Sequence, residues 1–186
     1  MRPSNVGQRE IHTQRGVIDF LRDTLGYRYL GNWTDRPDNS SIEADVLRDW
    51  LRRRGYEDRV IDRVLWELNQ AGTIIGGSRN LYDANEAVYG LLRYGVKVQP
   101  DIGEHHETVW LIDWANPENN DFAIAEEVTI KGEHTKRPDI VLYVNGIALG
   151  VLELKRSTVA VSEGIRQNLD NQRAIFIRDF FATVKF

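Results

Sequence analysis

The dipeptide Asn145-Gly146 stands between two apolar runs, "DIVLYV" and "IALGVLELK", and constrains this chain more than any other feature. Both residues tolerate positive φ, so between β-prone segments they specify a tight hairpin. A hairpin in turn dictates which side chains meet. Alternate residues of a strand point to opposite faces, which puts Asp139, Val141 and Tyr143 together on the first strand. On the second, Val151, Glu153 and Lys155 share one face, and Leu152 and Leu154 share the other. Pairing across the turn sets Asp139, near the start of one strand, roughly opposite the end of the other, where Glu153 and Lys155 sit. Two carboxylates and an ammonium then converge at one end of one sheet face.

Charge is costly to bury unless it is paired or binds a metal. One reading is an edge hairpin with a solvated polar face and a Glu153–Lys155 salt bridge. The other is a divalent-metal site in which Asp139 and Glu153 are hard oxygen ligands suited to Mg2+. In that case Lys155 would orient or activate a water and offset phosphate charge.

The rest of the chain reads as one α/β domain. "EIHTQRGVIDFLRDTLGY" sets Ile11, Val17, Ile18, Leu21 and Leu25 near helical spacing and stops at Gly26. A turn-rich loop follows from Gly31 to Ser41. Ser40 and Glu43 fit a capping box for a helix running to about Arg54. Val60, Ile61, Val64, Leu65 and Leu68 mark a second amphipathic helix closed by Gly72, and "NLYDANEAVYGLLRYG" a third ending at Gly95. Strands are expected at Val96–Gln99, Thr108–Trp114, Phe122–Ile130 and the hairpin, with the terminal "FFATVKF" also strand-like. Residues 31–95 thus form a helical insertion after the first helix, and 96–186 the sheet-bearing part.

Composition removes several classes. The chain has 186 residues, 41% of them apolar, and no cysteine, enough for a substantial core but not for a disulfide scaffold or a Cys-based zinc site. No apolar span is long enough to cross a membrane and no secretory pattern opens the chain, so a cytoplasmic location is expected. No G-x4-G-K-[ST] phosphate loop occurs, so ATP hydrolysis is not expected of this chain. The net charge of −4 argues against a protein that coats DNA. Its distribution is uneven: residues 98–135 hold nine acids and one lysine, whereas residues 136–186 hold eight Lys/Arg and five acids. The segment bearing the charged hairpin is the basic one, which suits a module that meets DNA at one spot and leaves most of the affinity to other domains.

Four other features invite comparison. "EHHE", Glu104–Glu107, has metal-ligand types, but adjacent histidines cannot share a face, which favours a solvated loop. Arg52, Arg53 and Arg54 could touch phosphate or simply complement a helix C-terminus. The Trp and Tyr residues, interleaved with aliphatics, read as core. Glu126 shares its expected strand face with Phe122, Ile124, Val128 and Ile130, so it lies either near the metal, at a polar sheet end, or beside a bulge.

"RPDIVLYVNGIALGVLELKRS" resembles the PD-(D/E)XK nuclease motif, with Pro138-Asp139 as its PD and Glu153-Leu154-Lys155 as its EXK. More closely, it resembles the nuclease domain at the N-terminus of the restriction (HsdR) subunit of type I restriction-modification enzymes. "LYDANEAVYGLLRYGVKV", "VWLIDW" and "DFAIAEEVTI" extend the likeness over most of the chain. The resemblance implies a restriction-endonuclease-like fold, a mixed central β-sheet flanked by helices, that hydrolyses DNA phosphodiester bonds with Mg2+. It implies metal ligation by Asp139, Glu153 and the Leu154 backbone carbonyl, with Glu10 of the first helix as a further candidate, and catalysis aided by Lys155 and Gln167. Gln167 fits the Gln of a following Q-x3-Y motif, while Asn171 stands at the Tyr position and Gln14 where a second helical acid is common. Lys136, Arg137, Arg156 and Arg166 are the DNA-binding candidates. The implied partners are double-stranded DNA, the methylation and specificity subunits, and C-terminal ATP-driven translocase domains in cis, this chain being an N-terminal fragment of the longer subunit. The competing expectation is a catalytically silent module that keeps the fold and docks DNA or partner subunits.

Overall fold

The computed structural model describes residues 6–74, 79–99, 106–131, 134–154, 161–173 and 177–185, with the backbone alone for 6–10, 161, 163, 164 and 168. The Asn-Gly hairpin forms its centre. β5 (Ile140–Val144) and β6 (Ile147–Leu152) pair antiparallel about Asn145 and Gly146, whose φ angles are 53° and 83°. β4 (Phe122–Glu126) lies antiparallel on the other side of β5, and β1 (Arg28–Asn32) adds parallel to β4. The result is a mixed four-stranded sheet in the order β1-β4-β5-β6.

Alternation then builds a different layer on each face. Ile124 and Ile140 point toward α1 (Val6–Asp19) and its continuation, where they bury Ile18 and Leu21. Val141 and Tyr143 point the other way, into a core with Trp33, Phe180, Phe181 and Val184. The last of these come from the segment after α5 (Val161–Asn171), including a 3-10 turn at Arg178–Ala182. A second core joins α2 (Ala44–Arg53), α3 (Asp58–Gly72) and α4 (Leu81–Tyr94) to the small β2 (Val96–Val98) and β3 (Glu107–Val109) pair.

The hairpin tip is not a solvent-exposed turn. Asn145 is fully buried: its Nδ2 donates to the Leu111 carbonyl and to Asn120 Oδ1, each at 2.8 Å, and its Oδ1 accepts from the Asp121 N–H at 2.7 Å. Glu43 N–H donates to the Gly146 carbonyl at 2.8 Å just before α2 begins. A Cβ at residue 146 would lie 2.8 Å from Glu43 O and 2.9 Å from Leu47 N, so the positive φ and the close approach both require glycine there.

Several expected boundaries shift, each for a local reason. Ile18 and Leu21 are buried, but Ile11 and Leu25 are exposed. Phe20–Thr24 is a π turn, with Leu25 N–H bonding Phe20 O, so spacing by four no longer keeps Leu25 on the stripe. The strand expected to reach Trp114 stops at Val109. Beyond it, Asp113 and Asn120 offer the backbone side-chain partners: Asp113 Oδ1 accepts from Asn116 N–H at 3.0 Å, and Asn120 Nδ2 donates to Asp113 O at 3.0 Å. The next strand ends at Glu126, because Glu127 adopts φ 50° and bends the chain. Within "FFATVKF", Phe180–Ala182 close the 3-10 turn and Thr183–Lys185 are not in a strand. Ser40 does not cap α2, which starts at Ala44; Glu43 still reaches back to Ser40 N–H at 3.2 Å. A full capping box occurs instead at Asn80 and Asp83, opening α4. Trp33, Trp50 and Tyr143 are core as expected, whereas Trp66, Trp110, Trp114, Tyr82, Tyr89 and Tyr94 are exposed.

Candidate active site

Asp139 follows Pro138, an imino acid that ladders tolerate at a strand start because it has no N–H to donate. Glu127 N–H donates to Asp139 O at 2.9 Å and Val128 N–H to Pro138 O at 3.1 Å, fixing the dipeptide against the bend after β4. The β5–β6 ladder pairs Ile140 with Leu152, and one step further along it Asp139 meets the segment Glu153-Leu154. The contact is direct: Asp139 Oδ2 accepts the Leu154 N–H at 2.6 Å. A carboxylate bonded to a backbone donor is among the stronger hydrogen bonds a protein makes. Glu153 is held from above by α5. Gln167 Nε2 donates to its Oε2 at 2.8 Å, and Asn171 Nδ2 to its Oε1 at 3.3 Å. Residues 167 and 171 are one helical turn apart and therefore present to the same side.

Asp139 and Glu153 are both partly exposed. Lys155, Arg156 and the side chain of Glu10 lie outside the described residues, as does Glu104–His105 of "EHHE". Among the described residues no group of three or more His, Asp or Glu is arranged to hold a metal. The donor set at hand is two carboxylates and the Leu154 carbonyl, all hard oxygens. That fits Mg2+, which is usually bound through one or two carboxylates and completes its shell with water and substrate phosphate.

Glu126 pairs with Ile140, not Asp139, so its side chain belongs to the α1 face. There it accepts from Tyr29 OH at 2.7 Å, Gln14 Nε2 at 3.3 Å and Asn32 Nδ2 at 3.4 Å. Burial, reinforced by this carboxylate, pushes the Tyr29 hydroxyl up to about 12. Glu127 accepts from the same Gln14 Nε2 at 3.1 Å and pairs with Arg137 at 2.7 Å. A buried Gln14 bridging two glutamates explains why residue 14 is an amide: a third carboxylate there would face two of its own sign.

The candidate DNA-contacting cations divide. Lys136 bridges to Ile130 immediately before the Pro138-Asp139 dipeptide. Arg137 is half-exposed with its guanidinium on Glu127, and Arg166 is exposed on α5 one residue before Gln167. All three lie on segments that carry or flank the two carboxylates. Arg52, Arg53 and Arg54 do not. They sit at the opposite end of the sheet, where Arg52 pairs with Asp58 at 2.7 Å and Arg54 with Asp113 at 3.1 Å. An open hollow of about 770 Å³ there is lined by Arg28, Asp49, Arg53, Arg54 and Asp121, a mixed and largely self-neutralised set.

Sheet, flanking helices and paired carboxylates at one sheet end together define a restriction-endonuclease-like α/β domain. Residues 7–186 match the family model for the type I restriction enzyme R protein N terminus, and the chain belongs to that family. It is 34% identical over 155 residues to a putative type I restriction enzyme MjaVIIIP endonuclease subunit from Methanocaldococcus jannaschii. That alignment covers 79% of this chain and 14% of the relative, so the chain corresponds to a small part of it.

Proposed function

We propose that this chain is the Mg2+-dependent nuclease module of a type I restriction-modification R subunit and hydrolyses DNA phosphodiester bonds under the control of an ATP-driven translocase in the same subunit. The observation that carries the reading is the Asp139–Leu154 hydrogen bond, which draws the PD and EXK segments to one sheet end. Asp139, Glu153 and the Leu154 carbonyl would hold the ion. When bound, Mg2+ supplies positive charge for the phosphate and lowers the pKa of a water.

The chain's own groups do the remaining work. The Leu154 N–H and the Gln167 amide hold the two carboxylates in place, so little reorganisation is needed on binding. Lys155, the lysine of the EXK motif, would orient the attacking water or offset charge on the phosphorane. Lys136, Arg137, Arg156 and Arg166 contribute to the phosphate footprint on double-stranded DNA, with the methylation and specificity subunits supplying recognition in the cytoplasm.

The test is made in the full subunit assembled with those partners. Replacing Asp139, Glu153 or Lys155 by alanine abolishes cleavage and spares ATP hydrolysis. Cleavage that persists in all three variants refutes the nuclease assignment and leaves a docking module.

A further inference from the structure

Asn171 stands at the position where the resembled family has an aromatic, and it is not an inert replacement. It is 1% exposed, its Nδ2 donates to Glu153 Oε1, and its Oδ1 is buried without a hydrogen-bond partner among the described residues. An orphaned buried acceptor is unfavourable, and a leucine of similar shape would remove it. The donor on the same amide gives the position its use. Gln167 and Asn171 together put one N–H on each oxygen of Glu153, which stops rotation of the carboxylate plane. A carboxylate has about four lone-pair sites, so two amide donors do not exhaust it. Both amides are neutral, so they orient the group without adding charge to it.

We propose that Asn171 is a positioning residue that acts through Glu153, completing with Gln167 a two-amide clamp that sets the carboxylate for divalent-metal binding. This rests on the reading of Asp139 and Glu153 as metal ligands. A role confined to packing would leave metal affinity untouched, and the two can be separated without measuring cleavage.

The 186-residue chain is titrated with Mn2+ by calorimetry, as wild type, Asp139→Ala, Asn171→Leu and Asn171→Ser, and each is melted in EDTA. The wild type binds, Asp139→Ala does not, and both Asn171 variants bind about tenfold more weakly, the usual cost of losing a group that orients a ligand. Asn171→Leu melts at or above the wild type, since the orphaned acceptor is gone. Should the leucine variant be destabilised, Asn171→Ser, whose hydroxyl is too short to reach Glu153, carries the affinity comparison. Wild-type affinity in either Asn171 variant overturns the proposal while leaving the metal site standing. Equal binding by wild type and Asp139→Ala, or no binding by either, overturns the metal site and the clamp with it.

Discussion

Replacing Asp139 by asparagine and by alanine separates two roles that the carboxylate combines. Its Oδ2 receives the Leu154 N–H at 2.6 Å, a charge-assisted bond joining the ends of the hairpin strands. Such bonds contribute about 1.5–3 kcal/mol when shielded, and partial exposure places this one near the low end. Alanine loses the bond entirely and should cost about 1–2 kcal/mol. Asparagine keeps an acceptor at the same position, exchanges a charged bond for a neutral one, and relieves repulsion from Glu153 across the ladder, where like charges destabilise. Its stability should fall within about 1 kcal/mol of the wild type in EDTA. Metal then breaks the similarity: at ten times the dissociation constant a ligand adds about 1.4 kcal/mol to the state that binds it. Urea denaturation in EDTA and in Mn2+ should therefore show a gain for the wild type and none for either variant. The reasoning is refuted if asparagine is as destabilising as alanine in EDTA, or if it gains as much as the wild type from Mn2+.

Gly146→Ala should cost about 3 kcal/mol by urea denaturation, roughly 1–2 kcal/mol for left-handed backbone and the rest for a Cβ placed 2.8 Å from Glu43 O; a loss under about 1 kcal/mol would mean the turn is not docked as described. Asp113 titrates below the ordinary carboxylate range because the Asn119 amide and the Asn116 N–H bond its ionised form, with Arg54 adding to the effect. A carboxylate depressed in the folded state adds stability that is complete above its unfolded pKa and is lost as pH falls through the folded value. The stability gap between wild type and Asp113→Asn should accordingly shrink as pH drops below about 4, read from urea midpoints; a gap that stays constant would remove Asp113 as its source.

What could be read in the sequence was whatever local rules control. Asn145-Gly146 announces the hairpin and brings Asp139 near the strand end that carries Glu153, but setting the two face to face takes a register shift between Leu142 and Tyr143 that alternation does not supply, and alternation alone left Glu126 among three placements. β1 escaped because "RYLGN" contains Gly31 and borders a turn-rich stretch, and its parallel pairing with β4 joins residues far apart in the chain. The segment after Val109 is rich in β formers, yet Asp113, Asn116 and Asn120 satisfy its backbone with side chains, a competition that propensity does not register. Gln167 was visible through family pattern, but Asn171 looked only like a departure. Its bond to Glu153 depends on how α5 lies over the sheet, which no spacing rule supplies.

The buried turn at Asn145-Gly146 makes the helices behind it structural parents of the distant carboxylate pair. β6 spans six residues, about 20 Å at the usual rise; one of its ends is bolted to the entry of α2 and the other delivers Glu153. A change at Glu43, Leu47 or Asn120 would loosen the tip on which the register of the whole hairpin depends, including the shift between Leu142 and Tyr143 that sets Asp139 against Glu153. Transplanting the hairpin strands into another scaffold without α2 would thus carry over the letters of the motif and lose their alignment.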